Sequence, residues 1–545
     1  MYPRLNCDVI LGRLYPHARA KEVKRERKTE NCSHAEFRVL SGMFALALLL
    51  LSLLYLIYKY YSNVNTYWKK KGIPGPEPEL FFGNMQEIWE YEKPRSLVLR
   101  DWTKKYGKMY GYYEGVRKYL VVSDFEMLNE ILIKKFDHFY ARSRFELQRT
   151  EDGPKTHLVE ARGTHWKRLR ALGSHAFTNK SLKQIVPVVK ESAMLAVDGM
   201  ERAHEGEINT LEFFQEYTMD VISKIALGMK DAKMFHNEYV QICRDVFNRP
   251  LKHLIMVVPC VFPWAIDAWM TLLESTGKFL EIPFLKLMDN LEKAVAERKN
   301  QREGGSPSTG DFIDMFLDAE VDVSEVQFGE SSDTARKLSF EEVVGQCLIF
   351  LLAGFDTTSI SLSYVTHFLA NYPEVQERLR EEVDAFAHED LDIEQLGELT
   401  YMECVIKESL RHYPLGTVAV TRECTKACEI KGYKFEEGDM VATDTWSLHM
   451  DKQIWGEDAE EFRPERWLEE STRARAAFQA FGEGPRMCIG MRLAYLEEKI
   501  ALLELMKRFT IEKTEHTNPI RLVGSLTVGP EKVMVKLTNR NTKWN

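Results

Sequence analysis

The most constraining feature of this sequence is a loop near its C-terminal end, Phe481–Gly490, which reads Phe-Gly-Glu-Gly-Pro-Arg-Met-Cys-Ile-Gly. Gly482 and Gly484 permit a tight turn that brings backbone close to a ligand. Cys488 follows the turn and lies where an amphipathic helix, about 489–509, begins. Because a helix N-terminus presents free N–H groups and the positive end of a dipole, it stabilises a thiolate there. The loop therefore predicts a functional thiolate at Cys488, with a buried structural cysteine as the alternative.

Two neighbours of Cys488 support this interpretation. Arg486 is a permanent cation suited to a carboxylate, and Gly490 leaves the helix N–H groups uncovered by a side chain. The nine cysteines have no regular spacing, and a disulfide framework is not expected in so large a chain, so we interpret the other eight as reduced thiols. Cys424 and Cys428 lie four residues apart but lack the second pair of ligands that a zinc site requires.

A second constraint is a run of 20 residues without a charge between Arg38 and Lys59. At about 1.5 Å per residue, a helix of that length covers the roughly 30 Å hydrocarbon core of a bilayer. Tyrosines cluster at its C-terminal end, as interfacial aromatic residues do. We therefore predict a transmembrane signal-anchor at 39–61, and a buried core helix is the alternative.

The flanking charges leave the orientation of this anchor open. The N-terminal extension, 1–38, carries nine Lys or Arg and five Asp or Glu, while Lys59 and the lysines at 69–71 lie on the other side. The positive-inside rule therefore gives no clean answer. One hypothesis resolves the conflict: translation starts at Met43, and the lysines after the anchor are cytosolic. If the longer form exists with a lumenal head, Asn31 is a candidate glycosylation acceptor.

The remainder is predicted to be a Pro-rich linker, 62–79, and one large domain, 80–545. Helical periodicity dominates the domain and short strand-like segments interrupt it, so we predict a mainly α fold with small β-sheets. Polar stretches at 302–310 and about 321–337 predict surface loops. A formal net charge of −9 argues against nucleic-acid binding, although a chain with this net charge can still have a local basic face.

A long helix, predicted over about 340–371, departs from the usual rules at its centre. Ser339 and Glu342 form a capping box at its start. The centre reads Leu-Ala-Gly-Phe-Asp-Thr-Thr-Ser, where Gly354 weakens the helix and Asp356 is an acid between apolar flanks. Such departures are expected at functional sites, whereas the alternative is a chance polar kink in a packing helix.

The loop around Cys488 resembles the cysteine-ligand loop of the cytochrome P-450 haem-thiolate monooxygenases, and the resemblance covers essentially everything from Gly72 onward. It implies the cytochrome P-450 fold, a haem b cofactor (iron protoporphyrin IX) and Cys488 as the axial ligand of the haem iron. Phe481, Arg486 and Gly490 are implied to contact the cofactor.

The resemblance also implies roles for the centre of the long helix, which is similar to the family's oxygen-activating segment. Thr357 is implied to hydrogen-bond dioxygen and Asp356 to relay protons through water, while Gly354 leaves room over the iron. Both Asp356 and Thr357 are thus candidate catalytic residues.

Three further segments match the family's pattern. Trp166 and Arg170 lie one helical turn apart and are implied to hold a haem propionate, as is Arg422. The resemblance also implies that three residues form a buried ion cluster with a structural role: Glu408, Arg411 and Arg466. On the residues alone, Glu408 and Arg411 are indistinguishable from a surface pair, and the helix that carries Trp166 is equally compatible with a solvated basic face.

The resemblance implies a monooxygenase that inserts one atom of dioxygen into a lipophilic organic substrate. No nucleotide-binding glycine loop is present, so electrons must come from outside the chain. The resemblance implies an NADPH-dependent flavoprotein reductase as the donor, with cytochrome b5 as a second. An acidic flavoprotein is expected to dock on a basic face, and plain solvated charges are the alternative. The residues predicted for this face are Lys167, Arg168, Arg473, Arg475 and Arg492.

The sequence is most similar to the microsomal animal members of the family, which include broad-specificity drug-oxidising enzymes, and within them to invertebrate members. This implies a single-pass protein of the endoplasmic reticulum membrane with a cytosolic catalytic domain. The alternatives are a dedicated sterol or fatty-acid hydroxylase and a non-enzymatic haem-binding membrane protein. The implied substrate-facing segments are 139–165, 235–264, 346–357, 415–420 and 522–528.

Overall fold

The structure, a computed structural model, describes residues 16–143, 153–203, 206–229, 233–248, 254–280, 282–319, 338–386, 391–416, 420–469 and 472–540. Within these ranges the side chains of 16–39, 277–280 and 472–474 are not described. The chain divides into two compact units, Met1–Thr66 and Tyr67–Asn545, so the predicted linker 62–79 is shared between them. The side chains of the predicted extension 1–38, including Asn31, and the polar stretch 321–337 lie outside the described residues.

The first unit contains one long helix, α1 (Pro16–Asn65). Its segment Leu40–Asn65 is 26 residues long, and none of its most apolar stretch is buried within the protein. A helix of this length and composition can cross a bilayer. The helix Phe340–Asn371 is also long and apolar, but 72% of its most apolar stretch is buried, so it belongs to the protein core. A third apolar segment consists of two helices, Leu254–Val261 and Pro263–Thr276, which are bent by 112°.

Helices make up most of the second unit. In chain order they are α2 (Tyr67–Lys70), α3 (Met85–Ile88), α4 (Arg95–Tyr106), α5 (Phe125–Asn129), α6 (Gly163–Ser174), α7 (Asn179–Ala203), α8 (Thr210–Leu227), α9 (Glu238–Phe247), α10 (Leu254–Val261), α11 (Ile266–Leu280), α12 (Pro283–Glu303), α13 (Phe312–Leu317), α14 (Phe340–Asn371), α15 (Pro373–Ala385), α16 (Ile393–Glu398), α17 (Thr400–His412), α18 (Thr445–His449), α19 (Lys452–Trp455), α20 (Thr472–Ala477) and α21 (Met491–Arg508).

The strands are short and form small sheets. They are β1 (Met109–Glu114), β2 (Arg117–Val122), β3 (Glu207–Asn209), β4 (Thr421–Glu423), β5 (Cys428–Ile430), β6 (Tyr433–Phe435), β7 (Met440–Thr443), β8 (Phe509–Lys513), β9 (Leu522–Val523), β10 (Gly529–Pro530) and β11 (Met534–Asn539). The largest sheet has the order β1-β2-β7-β4, in which only β2 and β7 are parallel. An antiparallel sheet has the order β3-β11-β8, and β5-β6 and β9-β10 are hairpins.

This architecture confirms the predicted mainly α fold with small β-sheets. The bounds of α14 coincide with the predicted 340–371, and Ser339 and Glu342 form the predicted capping box. The predicted helix 489–509 is shorter, because α21 begins at Met491 and Phe509 already pairs with Asn539 in the β8–β11 ladder. Of the predicted helix, only the last residue, Phe509, therefore lies in a strand.

The centre of the core is the packing of α14 against α8. A Cβ on Gly354 would lie 2.8 Å from Ile222 Cδ1, so only a glycine permits this approach without a shift. The hydroxyl of Thr218 on α8 donates a hydrogen bond to the Phe355 carbonyl oxygen at 2.6 Å. This contact fixes the depth at which the unusual centre of α14 lies in the protein.

The start of the second unit is packed into it. Trp68 is buried, and its indole N–H donates to the Tyr112 carbonyl oxygen at 3.2 Å. A Cβ on Gly111 would lie 2.2 Å from Trp68 Cγ, so the strand carries a glycine where the indole rests on it. Tyr67 donates to Asp439 at 2.6 Å. The first residues of this unit are thus held by its sheet.

A buried ion cluster joins α17 to the segment after α19. Arg411 Nη2 lies 2.8 Å and Arg466 Nε lies 2.9 Å from the same carboxylate oxygen, Glu408 Oε1. Arg411 also donates to the carbonyl oxygens of His449 and Ala459. Burial alone would raise the pKa of the Glu408 carboxyl, but Arg411 and His412 hold it well below its ordinary value.

We expect Glu408→Ala to destabilise the protein strongly, because it leaves two buried guanidinium groups without their counter-ion. Removing one partner of a buried pair typically costs about 3–5 kcal/mol. The thermal midpoint measured by circular dichroism should therefore fall by several degrees. Asp289→Ala, which removes an exposed pair with Lys293, is the matched control and should shift it little. Equal shifts in the two variants would contradict the structural role of the cluster.

Candidate active site

A cavity of about 1440 Å³, including the part that opens to solvent, lies between α14, α21 and the Phe481–Gly490 loop. Its walls are largely apolar, with Phe177, Ile222, Phe350 and Leu415 among them. The lining residues include nine of the predicted site residues: Trp166, Arg170, Gly354, Thr357, Arg422, Phe481, Arg486, Cys488 and Gly490. The sequence motifs are thus brought together around one space.

Cys488 lies in the wall of this cavity, where its thiol is open to the cavity interior although protein surrounds it. Its backbone N–H donates to the Phe481 carbonyl oxygen at 2.8 Å, which closes the loop. Burial raises the pKa of the Cys488 thiol, while the backbone N–H groups of Gly490 and Met491 and the charge of Arg170 oppose that rise. The site therefore offers a thiolate several stabilising groups, and a metal cation at the sulfur would complete the compensation.

Close packing explains Gly484 in this loop. Its φ is +71°, and a Cβ there would lie 2.1 Å from the Leu132 carbonyl oxygen. Leu132 belongs to a π-helical turn, Glu130–Lys134, so the loop rests directly on that turn. At Gly490, in contrast, a Cβ would make only an ordinary contact with Phe177 at 3.6 Å.

Four arginines share one edge of the cavity: Arg142, Arg170, Arg422 and Arg486. Arg486 donates to the carbonyl oxygens of Tyr140 and Ala161 at 3.0 and 2.7 Å, so backbone already holds its guanidinium. Arg422 donates from Nη1 to Thr421, but its buried Nε has no partner among the described residues. The guanidinium of Arg170 has no hydrogen-bond partner among the described residues either; only its carbonyl oxygen accepts a hydrogen bond, from Ser174.

This edge carries an excess of positive charge. Burial lowers the pKa of Arg422 to about 9 and, together with the neighbouring cations, the pKa of Arg486 to about 8. Arginine keeps its proton in proteins, so these lowered values show how unfavourable the assembled charges are without an anion. Carboxylates at this edge would relieve the repulsion. An apolar slot with a thiol in its wall and cations at its edge fits the haem implied by the sequence.

Trp166 is placed to support this edge. The guanidinium carbon of Arg486 lies 4.3 Å from its ring centroid, a cation–π distance. Phe136 also packs against the indole, with 5.6 Å between ring centroids. The ring therefore orients Arg486 in addition to facing the cavity.

Thr357 faces the cavity from the centre of α14. Its hydroxyl donates to the Ala353 carbonyl oxygen at 2.7 Å, so its acceptor lone pairs remain available to a cavity ligand. Gly354 also lines the cavity, but the position of its missing Cβ is occupied by Ile222. The close helix contact alone accounts for this glycine, and its predicted role over the iron remains a prediction.

Asp356, by contrast, does not line the cavity. It is buried, accepts a hydrogen bond from Thr527, and lies near Gln215 and the charge of Arg244. Burial raises its pKa to about 6, although these three neighbours lower it. The acid is therefore partly protonated near neutral pH, and its side chain points away from the space where Thr357 lies.

Several lining residues carry no motif in the sequence. Arg142 lies in the segment 139–165 that is implied to face the substrate, but no motif marks it as part of the arginine edge. Glu497 and Glu498 on α21 also line the cavity, and burial raises the pKa of Glu498 to about 8 and that of Glu497 well above its ordinary value. Ser361 donates to Glu498 at 3.0 Å. A Glu-Glu-Lys run looks like an exposed helix face in sequence, so no signal distinguished these acids.

The predicted basic docking face is only partly exposed. Arg168 is paired with the buried Glu342 at the start of α14, so its assignment to this face was wrong. Arg492 donates to Asn179, and the side chain of Arg473 lies outside the described residues. Lys167, Arg475 and Arg492 remain exposed.

Comparison with known proteins agrees with this geometry. The family profile described as Cytochrome P450 matches residues 73–537. The chain is 42% identical over 510 residues to cytochrome P450 CYP13A3 of Caenorhabditis elegans, covering 89% of this chain and 97% of that protein. It is 43% identical over 503 residues to CYP13A2 of the same organism, covering 89% and 96%. The matched region contains the whole cavity.

We expect the raised pKa of Asp356 to appear in the pH dependence of stability. Because its pKa rises from 3.8 to about 6 on folding, the native state binds this proton more tightly. The stabilisation by the protonated form is complete below the unfolded-state pKa and is lost as pH rises through about 6. Between pH 5 and 7 the wild-type protein should lose about 1 kcal/mol relative to Asp356→Asn.

The measurement is the thermal midpoint of both proteins across that range. Their difference should widen towards neutral pH. A constant difference would show that Asp356 titrates at its ordinary value.

Proposed function

The chain belongs to the cytochrome P450 family, and from that premise we propose how its own residues divide the work of a haem monooxygenase. The observation that carries the proposal is the convergence of Cys488, Thr357 and the arginine edge on one apolar cavity. The haem, when bound, supplies the activation of dioxygen and the insertion of one oxygen atom into the substrate. Everything else in the proposal concerns protein side chains.

Cys488 would ligate the haem iron as a thiolate. The two N–H groups at the start of α21 reduce the charge that the sulfur can donate and hold it in place. Arg170 and Arg422 would bind the propionates directly, because neither is paired with a carboxylate among the described residues. Arg486 would act mainly by fixing the loop to the Tyr140 and Ala161 carbonyls.

Thr357 and Asp356 would supply protons. The Thr357 hydroxyl, fixed by Ala353, can accept a hydrogen bond from a water or a protonated ligand in the cavity. Asp356, with a pKa of about 6, is suited to donate and regain a proton near neutral pH. Since its carboxyl lies outside the cavity lining, the proton must travel by a water or by a side-chain rotation.

The substrate is proposed to be a lipophilic organic molecule, because the cavity walls are largely apolar. A dedicated sterol or fatty-acid hydroxylase would use the same residues. An NADPH-dependent flavoprotein reductase is the proposed electron donor, with cytochrome b5 as a second. Lys167, Arg475 and Arg492 are the exposed basic residues of the predicted face available to it. The apolar segment Leu40–Asn65 supports a single-pass anchor in the endoplasmic reticulum membrane with residues 80–545 as the cytosolic catalytic domain.

The first test is spectroscopic. The reduced protein with carbon monoxide should show the long-wavelength absorption band of thiolate-ligated haem, and Cys488→Ala should abolish it. Cys428→Ala, which removes a thiol distant in sequence and outside the cavity lining, is the matched control and should leave the band intact. A band of unchanged position in folded Cys488→Ala protein would overturn the ligand assignment.

The second test separates binding from proton supply. Thr357→Ala should keep the absorption band but lower the product formed per NADPH by about tenfold, as expected when a positioned proton-transfer group is lost. Thr357→Ser should restore most of the coupling, because it retains the hydroxyl. Product would be measured with a panel of a steroid, a long-chain fatty acid and an alkoxycoumarin. Unchanged coupling in Thr357→Ala would refute the role.

A further inference from the structure

The partners of Asp356 come from two different parts of the fold. Gln215, on α8, lies beside its carboxylate and accepts a hydrogen bond from Arg244 Nε at 2.7 Å. Thr527 donates from the other direction. Gln215 and Arg244 belong to packed helices, whereas Thr527 lies in the turn between β9 and β10.

This turn is tightly built. Gly524 has a φ of +120°, and a Cβ there would lie 2.1 Å from the Thr527 carbonyl oxygen. After the turn, a Cβ on Gly529 would lie 2.8 Å from Ile360 Cδ1, so β10 presses on α14. The Tyr364 hydroxyl donates to the Val528 carbonyl oxygen at 2.8 Å. Thr527 therefore has little freedom of its own.

The same turn is bonded to the wall of the cavity. The Val528 N–H donates to the carbonyl oxygen of Leu415 at 3.0 Å, and Leu415 lines the cavity. A ligand that displaces Leu415 thus acts on the residue next to Thr527. Among the described partners of Asp356, Thr527 is the one on a segment hydrogen-bonded to that wall.

Helix geometry gives this connection a consequence. Asp356 and Thr357 are consecutive, so their side chains leave α14 about 100° apart. Thr357 faces the cavity and Asp356 is held away from it. To deliver a proton towards Thr357, the carboxyl must leave Thr527 or exchange its hydrogen bond for one to water.

We infer that Thr527 is a positioning residue that holds the Asp356 carboxyl away from the cavity until substrate displaces the cavity wall at Leu415. It thereby links occupation of the cavity to proton delivery. The inference rests on the proposed function of Asp356 and adds to it the side chain that controls its release.

The test uses the full-length protein with an NADPH-dependent flavoprotein reductase in phosphatidylcholine vesicles, without substrate. In Thr527→Val the carboxyl is no longer held, so NADPH oxidation and hydrogen peroxide release should rise by about fivefold, the effect expected for one lost hydrogen bond. Thr527→Ser should restore the wild-type rate. Thr538→Val, an exposed threonine of β11, is the matched control and should leave the rate unchanged.

A double variant identifies the group through which Thr527 acts. Asp356→Asn combined with Thr527→Val should oxidise NADPH at the rate of Asp356→Asn alone. If the double variant keeps the raised rate of Thr527→Val, the effect does not pass through Asp356 and the inference is overturned. It is equally overturned if Thr527→Val keeps its carbon-monoxide band and oxidises NADPH at the wild-type rate.

The pH dependence of NADPH oxidation distinguishes the loss of this hydrogen bond from looser packing, which would leave the titration unchanged. The Thr527 hydrogen bond favours the charged carboxylate, so its loss should shift the titration of NADPH oxidation to higher pH. The other titratable and charged groups facing Asp356 are Arg244 and Cys243 on α9, Tyr364 on α14, and Tyr91. An unshifted profile would contradict the inference. If instead Asp356→Asn forms product from the substrate panel at the wild-type rate, the proposed proton role fails, whatever Thr527 does.

Discussion

The positive charge at one edge of the cavity is the constraint on which the site depends. Arg142, Arg170, Arg422 and Arg486 meet where burial penalises each of them. Backbone carbonyls hold Arg486, and no carboxylate of the described residues pairs with Arg170 or Arg422. Such an arrangement is favourable only when anionic groups enter it. Haem binding and the folding of this edge are therefore expected to be thermodynamically linked.

Two glycines bring the apolar part of the site into place. Gly354 lets α14 approach Ile222 on α8, and Gly484 lets the cysteine loop rest on the carbonyl of Leu132. At both positions, neighbouring protein atoms leave no room for a side chain, whether or not a cofactor is bound. The cavity is thus defined by close backbone contacts on two sides, with Cys488 on one and Thr357 on the other.

The sequence predicted the parts of this site that local rules mark. The loop around Cys488, the capped helix α14 and the Glu408 cluster each carry a recognisable pattern, and the structure places nine of the predicted residues around one cavity. The sequence could not predict the features that depend on the direction in which a side chain points in the folded protein. Asp356 was expected to act beside Thr357, but Thr527, 171 residues further on, holds it on another side of the helix. Arg168 looked exposed, yet Glu342 pairs with it from a distant helix.

Buried acids were hidden for the same reason. Glu497 and Glu498 occupy a charged run that is typical of solvent, and only the packing of α21 against α14 shows that they are enclosed. Because burial raises the pKa of both acids, it favours their neutral forms, so they compensate the positive charge of the arginines less than exposed carboxylates would. Their position thus gives the wall two proton-bearing side chains that no linear motif marks.

The packing of Trp68 has a practical consequence for protein engineering. Its indole rests on Gly111 and donates to the carbonyl of Tyr112, and the neighbouring Tyr67 is bonded to Asp439. A shortened version made for crystallisation without the apolar segment Leu40–Asn65 should consequently start before Tyr67. Cutting at the prolines instead would expose the aromatic residues of β1 and leave the Gly111 recess open to solvent.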